Sequence, residues 1–109
     1  MEKLAKLPAM KITRHFLIRC KERLGADFDA LALGGEIRTA IAEGREDYVR
    51  YICRTDKGRR VYRCFVQGKG DAYVLVEGDH SALLTLLPPG YGVRRSGKGK
   101  RKLLRGALQ

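Results

Sequence analysis

Tyr48-Val49-Arg50-Tyr51-Ile52-Cys53-Arg54 and Arg60-Val61-Tyr62-Arg63-Cys64-Phe65-Val66-Gln67, joined around Thr55-Asp56-Lys57-Gly58, are the stretches whose reading decides the fold. Apolar and polar side chains alternate along both, and aromatic and β-branched residues recur, which is the period-2 signature of strands. The Asp-Lys-Gly punctuation between them makes a hairpin. Pairing in register sends Val49, Tyr51, Cys53, Tyr62, Cys64 and Val66 to one face, the expected core side. Arg50, Ile52, Arg54, Val61, Arg63 and Phe65 go to the other. Three arginines interleaved with an aromatic ring suit phosphate contact with a base stacked on Phe65. The plainer reading is of long side chains whose stems cover a solvent face. A slip of one residue would exchange the two faces.

Outward from this hairpin the pattern continues. Ala72–Val76 reads as a third strand, reached through Gly68-Lys69-Gly70-Asp71. Ala82–Leu87 reads as a fourth, reached through Glu77-Gly78-Asp79-His80 and ended by Pro88-Pro89-Gly90. Upstream the period is 3.6. Ile12 to Leu24 predicts a helix with Thr13 as N-cap, Phe16, Leu17, Cys20 and Leu24 as its apolar stripe, and Gly25 as its stop. Asp27 to Leu33 predicts a short helical turn, Gly34-Gly35 a break, and Glu36 to Glu43 a second helix with Gly44 just past its end. The expected class is α+β: two N-terminal helices packed on one face of a four-stranded antiparallel β-meander. Residues 1–10 are a lead-in, 11–90 a single domain, and 91–109 a basic, flexible, disordered tail.

A chain of 109 residues, 44% hydrophobic, is one domain with enough apolar surface for a core. Its longest apolar run, Ala82–Leu87, is far short of the roughly 20 residues that cross a bilayer, and two early lysines are followed by no apolar leader. A cytoplasmic location with no membrane partner is expected. Cys20, Cys53 and Cys64 form no CxxC pair and have no zinc-like spacing to histidine, so they read as buried reduced thiols. No metal or cofactor site is expected. The net charge is +11, and its placement is uneven. Seven of the 23 cations (Arg94, Arg95, Lys98, Lys100, Arg101, Lys102 and Arg105) lie beyond Tyr91 with no acid among them. A basic tail of this kind is an electrostatic handle for a polyanion, RNA foremost and DNA next, unless it serves only solubility.

The first helix carries the candidate chemistry. His15, Arg19 and Arg23 recur at i, i+4 and i+8 and form a cationic stripe beside the apolar one. Like charges at that spacing repel, so a bound phosphate would offset the cost. An imidazole that titrates near neutrality can take a proton from a ribose 2′-hydroxyl or give one to a leaving 5′-oxygen. Guanidinium groups hold the phosphate and stabilise charge on its oxygens. His80 sits in a turn with Asp79 and Ser81 and is expected to be solvated; beside His15 it would complete an acid/base pair. Tyr62 and Tyr73 read as core residues with a hydroxyl at the edge. A hydrolase triad is rejected because no strand–turn–helix nucleophile elbow is present.

The opening Thr13-Arg14-His15, with Arg19 and Arg23 following, resembles the first helix of small toxin-like domains in the superfamily of barnase-, EndoU-, colicin- and RelE-like ribonucleases. Ile37 with Ile41-Ala42-Glu43-Gly44 is similar to that group's second helix, and Ala82-Leu83-Leu84-Thr85-Leu86-Leu87-Pro88 to its closing strand. The resemblance spans roughly residues 11–89 and implies metal-independent RNA cleavage, with His15 as acid/base and Arg19, Arg23 and Arg63 on the phosphate. It makes Thr85 a minor polar contact and an acidic antitoxin or inhibitor a partner. The bulk of Phe16 and the length of the tail depart from the group's pattern. Two other readings stay open: a non-catalytic RNA- or DNA-binding regulator, and a protein-interaction module with a basic tail.

Overall fold

Thr13 starts the first helix by holding two elements at once. The computed structural model describes residues 9–88, 90–94 and 101–103. In it a short strand β1 (Lys11–Ile12) precedes helix α1 (Arg14–Leu24), and Thr13 caps α1 with its hydroxyl accepting from the Phe16 amide at 3.1 Å. The same hydroxyl donates to the Leu84 carbonyl at 2.8 Å, and the Thr13 amide donates to Leu83 at 3.2 Å. The predicted helix therefore begins two residues later than Ile12, because Ile12 is taken by the sheet. Phe16, Cys20 and Leu24 form its buried stripe as the periodicity requires.

The second helix differs more. Helix α2 runs unbroken from Ala30 to Glu43, capped by the Asp29 carboxylate on the Ala32 amide and closed by Gly44 at φ 69°. Gly34-Gly35 does not interrupt it. Gly34 is buried where α2 meets β1, and a Cβ there would lie 3.0 Å from the Cδ1 and Cγ2 of Ile12. The residue that looks like a helix breaker is a close-approach residue, and neighbouring packing offsets its cost in propensity.

Strands β2 (Val49–Arg54), β3 (Arg60–Val66), β4 (Gly70–Val76) and β5 (Ala82–Leu87) form the expected antiparallel meander. The sheet is nevertheless five-stranded and mixed, ordered β1-β5-β4-β3-β2, since β1 lies parallel to β5. Two residues were too few to show an alternation in the sequence. Both helices lie on one face, over a core of Phe16, Ile37, Val74, Val76, Leu83 and Leu86.

A second departure changes which side chains share a face. The β2–β3 register runs Val49↔Cys64, Arg50↔Arg63, Tyr51↔Tyr62, then skips to Cys53↔Val61 and Arg54↔Arg60. This bulge at Ile52 turns Cys53 to the face away from the helices and Arg54 to the helix face. Cys53, Val61, Tyr73 and Leu87 then form a second apolar cluster with Ile52 and Leu75. What covers it is the start of the tail. Val93, in strand β6 (Gly92–Arg94), is buried in that cluster, and β6 pairs antiparallel with β7 (Arg101–Leu103). The tail was expected to be without structure; at these residues it forms a third layer, because the outer sheet face is too apolar to leave wet. Arg95, Lys98, Lys100 and Arg105 lie outside the described residues, as do residues 1–8 of the lead-in. No helix among the described residues is long and apolar enough to cross a membrane.

Candidate functional site

The stripe on α1 is present as a stripe, but its members have separate duties. His15 is exposed, and its side chain has no hydrogen bond or ion pair among the described residues. Arg19 is ion-paired with Glu22 at 2.6 Å. Arg23 reaches across the helix–sheet boundary and donates from Nη1 to the Leu86 carbonyl at 2.7 Å. β1 pairs only Ala82 and Leu83 of β5, so Leu86 lies beyond the paired stretch of that edge, and Arg23 satisfies a carbonyl there. Arg63 cannot join them: its neighbours Tyr62 and Cys64 face the helix core, so Arg63 points to the opposite side of the sheet. Thr85, opposite Leu75, lies on that far side as well.

The expected arginine face is also divided. Arg50, Arg63 and Phe65 keep company on the outer side, while the bulge sends Arg54 elsewhere. Arg63 is ion-paired with Asp71. The shallow concavity holding Arg50, Arg63 and Phe65 also holds Glu46, Asp47 and Asp71, three acids against two arginines. That balance does not favour a phosphate. Arg94, from the tail, is ion-paired with Asp56 at 3.6 Å.

A different cluster forms where the β2–β3 and β4–β5 turns meet. Tyr62 Oη and His80 Nε2 share a hydrogen bond of 2.9 Å. Tyr51, across the strand pair, meets Tyr62 edge to face at 5.7 Å and is itself exposed. Arg60 donates from Nε to the Gly78 carbonyl at 2.8 Å, with its guanidinium carbon 6.0 Å from the Tyr51 ring centre. Arg54, brought round by the bulge, places Nη2 about 3.4 Å from where a Cβ of Gly78 would be. Two guanidinium groups thus lie within electrostatic reach of one imidazole at a half-exposed rim.

The electrostatics follow from that placement. The His80 pKa is lowered from its ordinary value, first by burial and then by Arg60 and Arg54, with Asp79 opposing them. The Tyr62 phenol is raised, chiefly by burial, against a pull from Arg60. Both groups are therefore neutral at neutral pH. His80 is also the only non-glycine described residue with positive φ, at 66°, held by its amide donating to Glu77 at 2.8 Å. A left-handed residue that is not glycine costs on the order of 1–3 kcal/mol and tends to persist where a site needs it. Cys20 and Cys64, by contrast, have thiols pushed up to about 12 chiefly by burial, and they are inert packing.

No family model, curated protein or solved structure matches this chain. The ribonuclease resemblance accordingly rests on the motif and the order of elements.

Tyr62 was legible as a core residue with its hydroxyl at the edge, whereas His80 reads in the sequence as a solvated loop residue. The signals that would have found it are cross-strand. Arg60 and Tyr62 alternate onto one face of β3, and the β3–β4 pairing returns the chain so that the turn holding His80 lies beside Arg60. Only the bulge, invisible in composition, adds Arg54. Among the described residues no three His, Cys, Asp or Glu side chains gather as a metal-ligand set.

Proposed function

We propose that this protein cleaves RNA without a metal ion, by attack of a ribose 2′-hydroxyl on the adjacent phosphate, at the cluster of His80, Tyr62, Arg60 and Arg54. The observation that carries the reading is a neutral imidazole hydrogen-bonded to Tyr62 at 2.9 Å, with Arg60 and Arg54 within electrostatic reach of it. In the tautomer with the proton on Nε2, the ring donates to Tyr62 Oη and the Nδ1 lone pair accepts the 2′-hydroxyl proton. The 2′-oxygen bonds to phosphorus as the bond to the 5′-oxygen breaks. Arg54 and Arg60 balance the charge on the non-bridging oxygens. They also make the newly formed imidazolium a stronger acid, which returns its proton to the departing 5′-oxygen. The products are a 2′,3′-cyclic phosphate and a free 5′-hydroxyl. An acidic inhibitor protein able to mask this cationic rim is the partner such an activity calls for.

The proposal moves the acid/base role from His15 to His80, and paired variants separate the two. His80→Asn keeps a residue that tolerates the left-handed backbone while removing the base. It is expected to abolish cleavage of total RNA in EDTA, with cyclic-phosphate ends absent and RNA affinity kept. His15→Ala is expected to cleave as wild type does. The reverse outcome returns the chemistry to α1. Wild-type protein that binds RNA and leaves it intact is a non-catalytic binder, and the proposal fails.

A further inference from the structure

Behind the His80 rim, on the other face of the sheet, lies a concavity of about 290 Å³ between the β2–β3 turn and the β6 segment. Its charged lining is Lys57, Arg59 and Arg94 with one acid, Asp56, which is ion-paired with Arg94 at 3.6 Å and leaves a cationic excess. By comparison, the groove beside Phe28 and Phe65 is lined by Asp29 and Glu36 with no cation. Arg59 Nε is a buried side-chain atom with no hydrogen-bond partner among the described residues, although the side chain is partly exposed and Nε stands in a long ion pair with Glu77, at 4.0 Å. A buried donor of that kind is expensive to leave unmade. Strand β6 is fastened here. Val93 is buried in the second cluster, and the Asp56 amide donates to the Arg94 carbonyl at 2.9 Å.

Arg59 and Arg60 are consecutive, so this concavity and the His80 rim are the two sides of one turn. We infer that the Lys57–Arg59–Arg94 concavity is a second phosphate subsite, taking a backbone phosphate that flanks the scissile one on the same single strand of RNA. The inference rests on the proposed function for the identity of the strand. It makes the substrate class a single-stranded oligonucleotide that wraps the β2–β3 turn. A dinucleotide fills only the His80 rim. A rigid duplex cannot bend around one turn, so paired RNA is excluded from the second subsite.

The test uses 2′-O-methyl oligonucleotides, which lack the attacking hydroxyl and cannot be cleaved, so that binding is read apart from chemistry. Fluorescence anisotropy compares a dinucleotide with a single-stranded decamer, on wild type and on Lys57→Gln/Arg59→Gln, with Arg94→Gln as a second variant and circular dichroism to check the fold. For wild type the decamer is expected to bind at least tenfold tighter. In the variants that advantage shrinks, and the slope of log affinity against log salt falls by about 0.7 for each phosphate that is no longer neutralised. Cleavage of an unmodified dinucleotide is unchanged. Variants that hold the decamer as tightly and with the same salt slope as wild type overturn the subsite. Length-dependent binding without cleavage of any RNA overturns the catalytic reading and leaves the subsite standing.

Discussion

A Cβ on Gly78 would overlap the carbonyl oxygen of Gly58. The β4–β5 and β2–β3 turns are in backbone contact at that point, and the contact is what brings His80 alongside Arg54 and Arg60. The obstructing atom belongs to the backbone and cannot yield as the end of a flexible side chain would. Gly78→Ala is therefore expected to push the turns apart, costing about 1–3 kcal/mol as overpacking does and removing RNA cleavage, read by urea unfolding and by assay. Gly35, in mid-α2, is the contrasting case, since nothing lies within 4 Å of its Cβ position. Gly35→Ala is expected to stabilise by about 0.5–1 kcal/mol. An unchanged midpoint for Gly78→Ala would show that the turns are not packed as described.

Thr13 joins α1 to β5 through one hydroxyl. Replacing it with alanine removes a helix cap and a bond to the Leu84 carbonyl, and the loss is expected to be about 2 kcal/mol, roughly half from each. Serine retains both functions and should restore most of it. Were alanine and serine equally harmless in thermal unfolding, the hydroxyl would not be tying these elements together.

The pH dependence follows from the lowered His80 pKa. A folded state that resists protonating this ring is stabilised above the ring's ordinary value of 6.5 and loses that stabilisation as pH falls from there towards the folded pKa. Melting temperature should decline across that window more in wild type than in His80→Asn. Cleavage, which needs the neutral ring, should rise with pH through the same window and level off near neutrality. A rate that instead falls as pH rises through that window would mean that the charged ring is the working form.

Cys20, Cys53 and Cys64 are buried and unbridged. With the thiols of Cys20 and Cys64 pushed up to about 12, little thiolate exists in the folded protein. A disulfide-exchange reagent is expected to label these two only on unfolding in denaturant, with a rate set by opening of the core. Prompt labelling of the native protein would contradict their burial.

The strands β2 to β5, the first helix with its Thr13 cap, the buried cysteines and the cationic excess of the tail can all be read from the residues themselves. Each is a local pattern: alternation for half-buried strands, a 3.6 period for the helix stripe, charge counted along the chain. β1 escaped because two residues have no period. The continuity of α2 escaped because Gly34 signals a break locally, whereas its reason for being glycine is Ile12, far back along the chain.

Side-chain assembly is where the sequence fell silent. One bulge at Ile52 moved Arg54 across the sheet, and with it the choice of arginines that stand beside an imidazole. Periodicity placed His15, Arg19 and Arg23 on one stripe. Whether such a stripe is a site depends on what it meets, and it meets Glu22 and a strand-edge carbonyl. The tail's cations were legible as charge, but its attachment through Val93 depends on an apolar cluster gathered from separate strands. Faces and caps are set by neighbours in sequence; convergence is set by register, turns and the closing of one backbone on another.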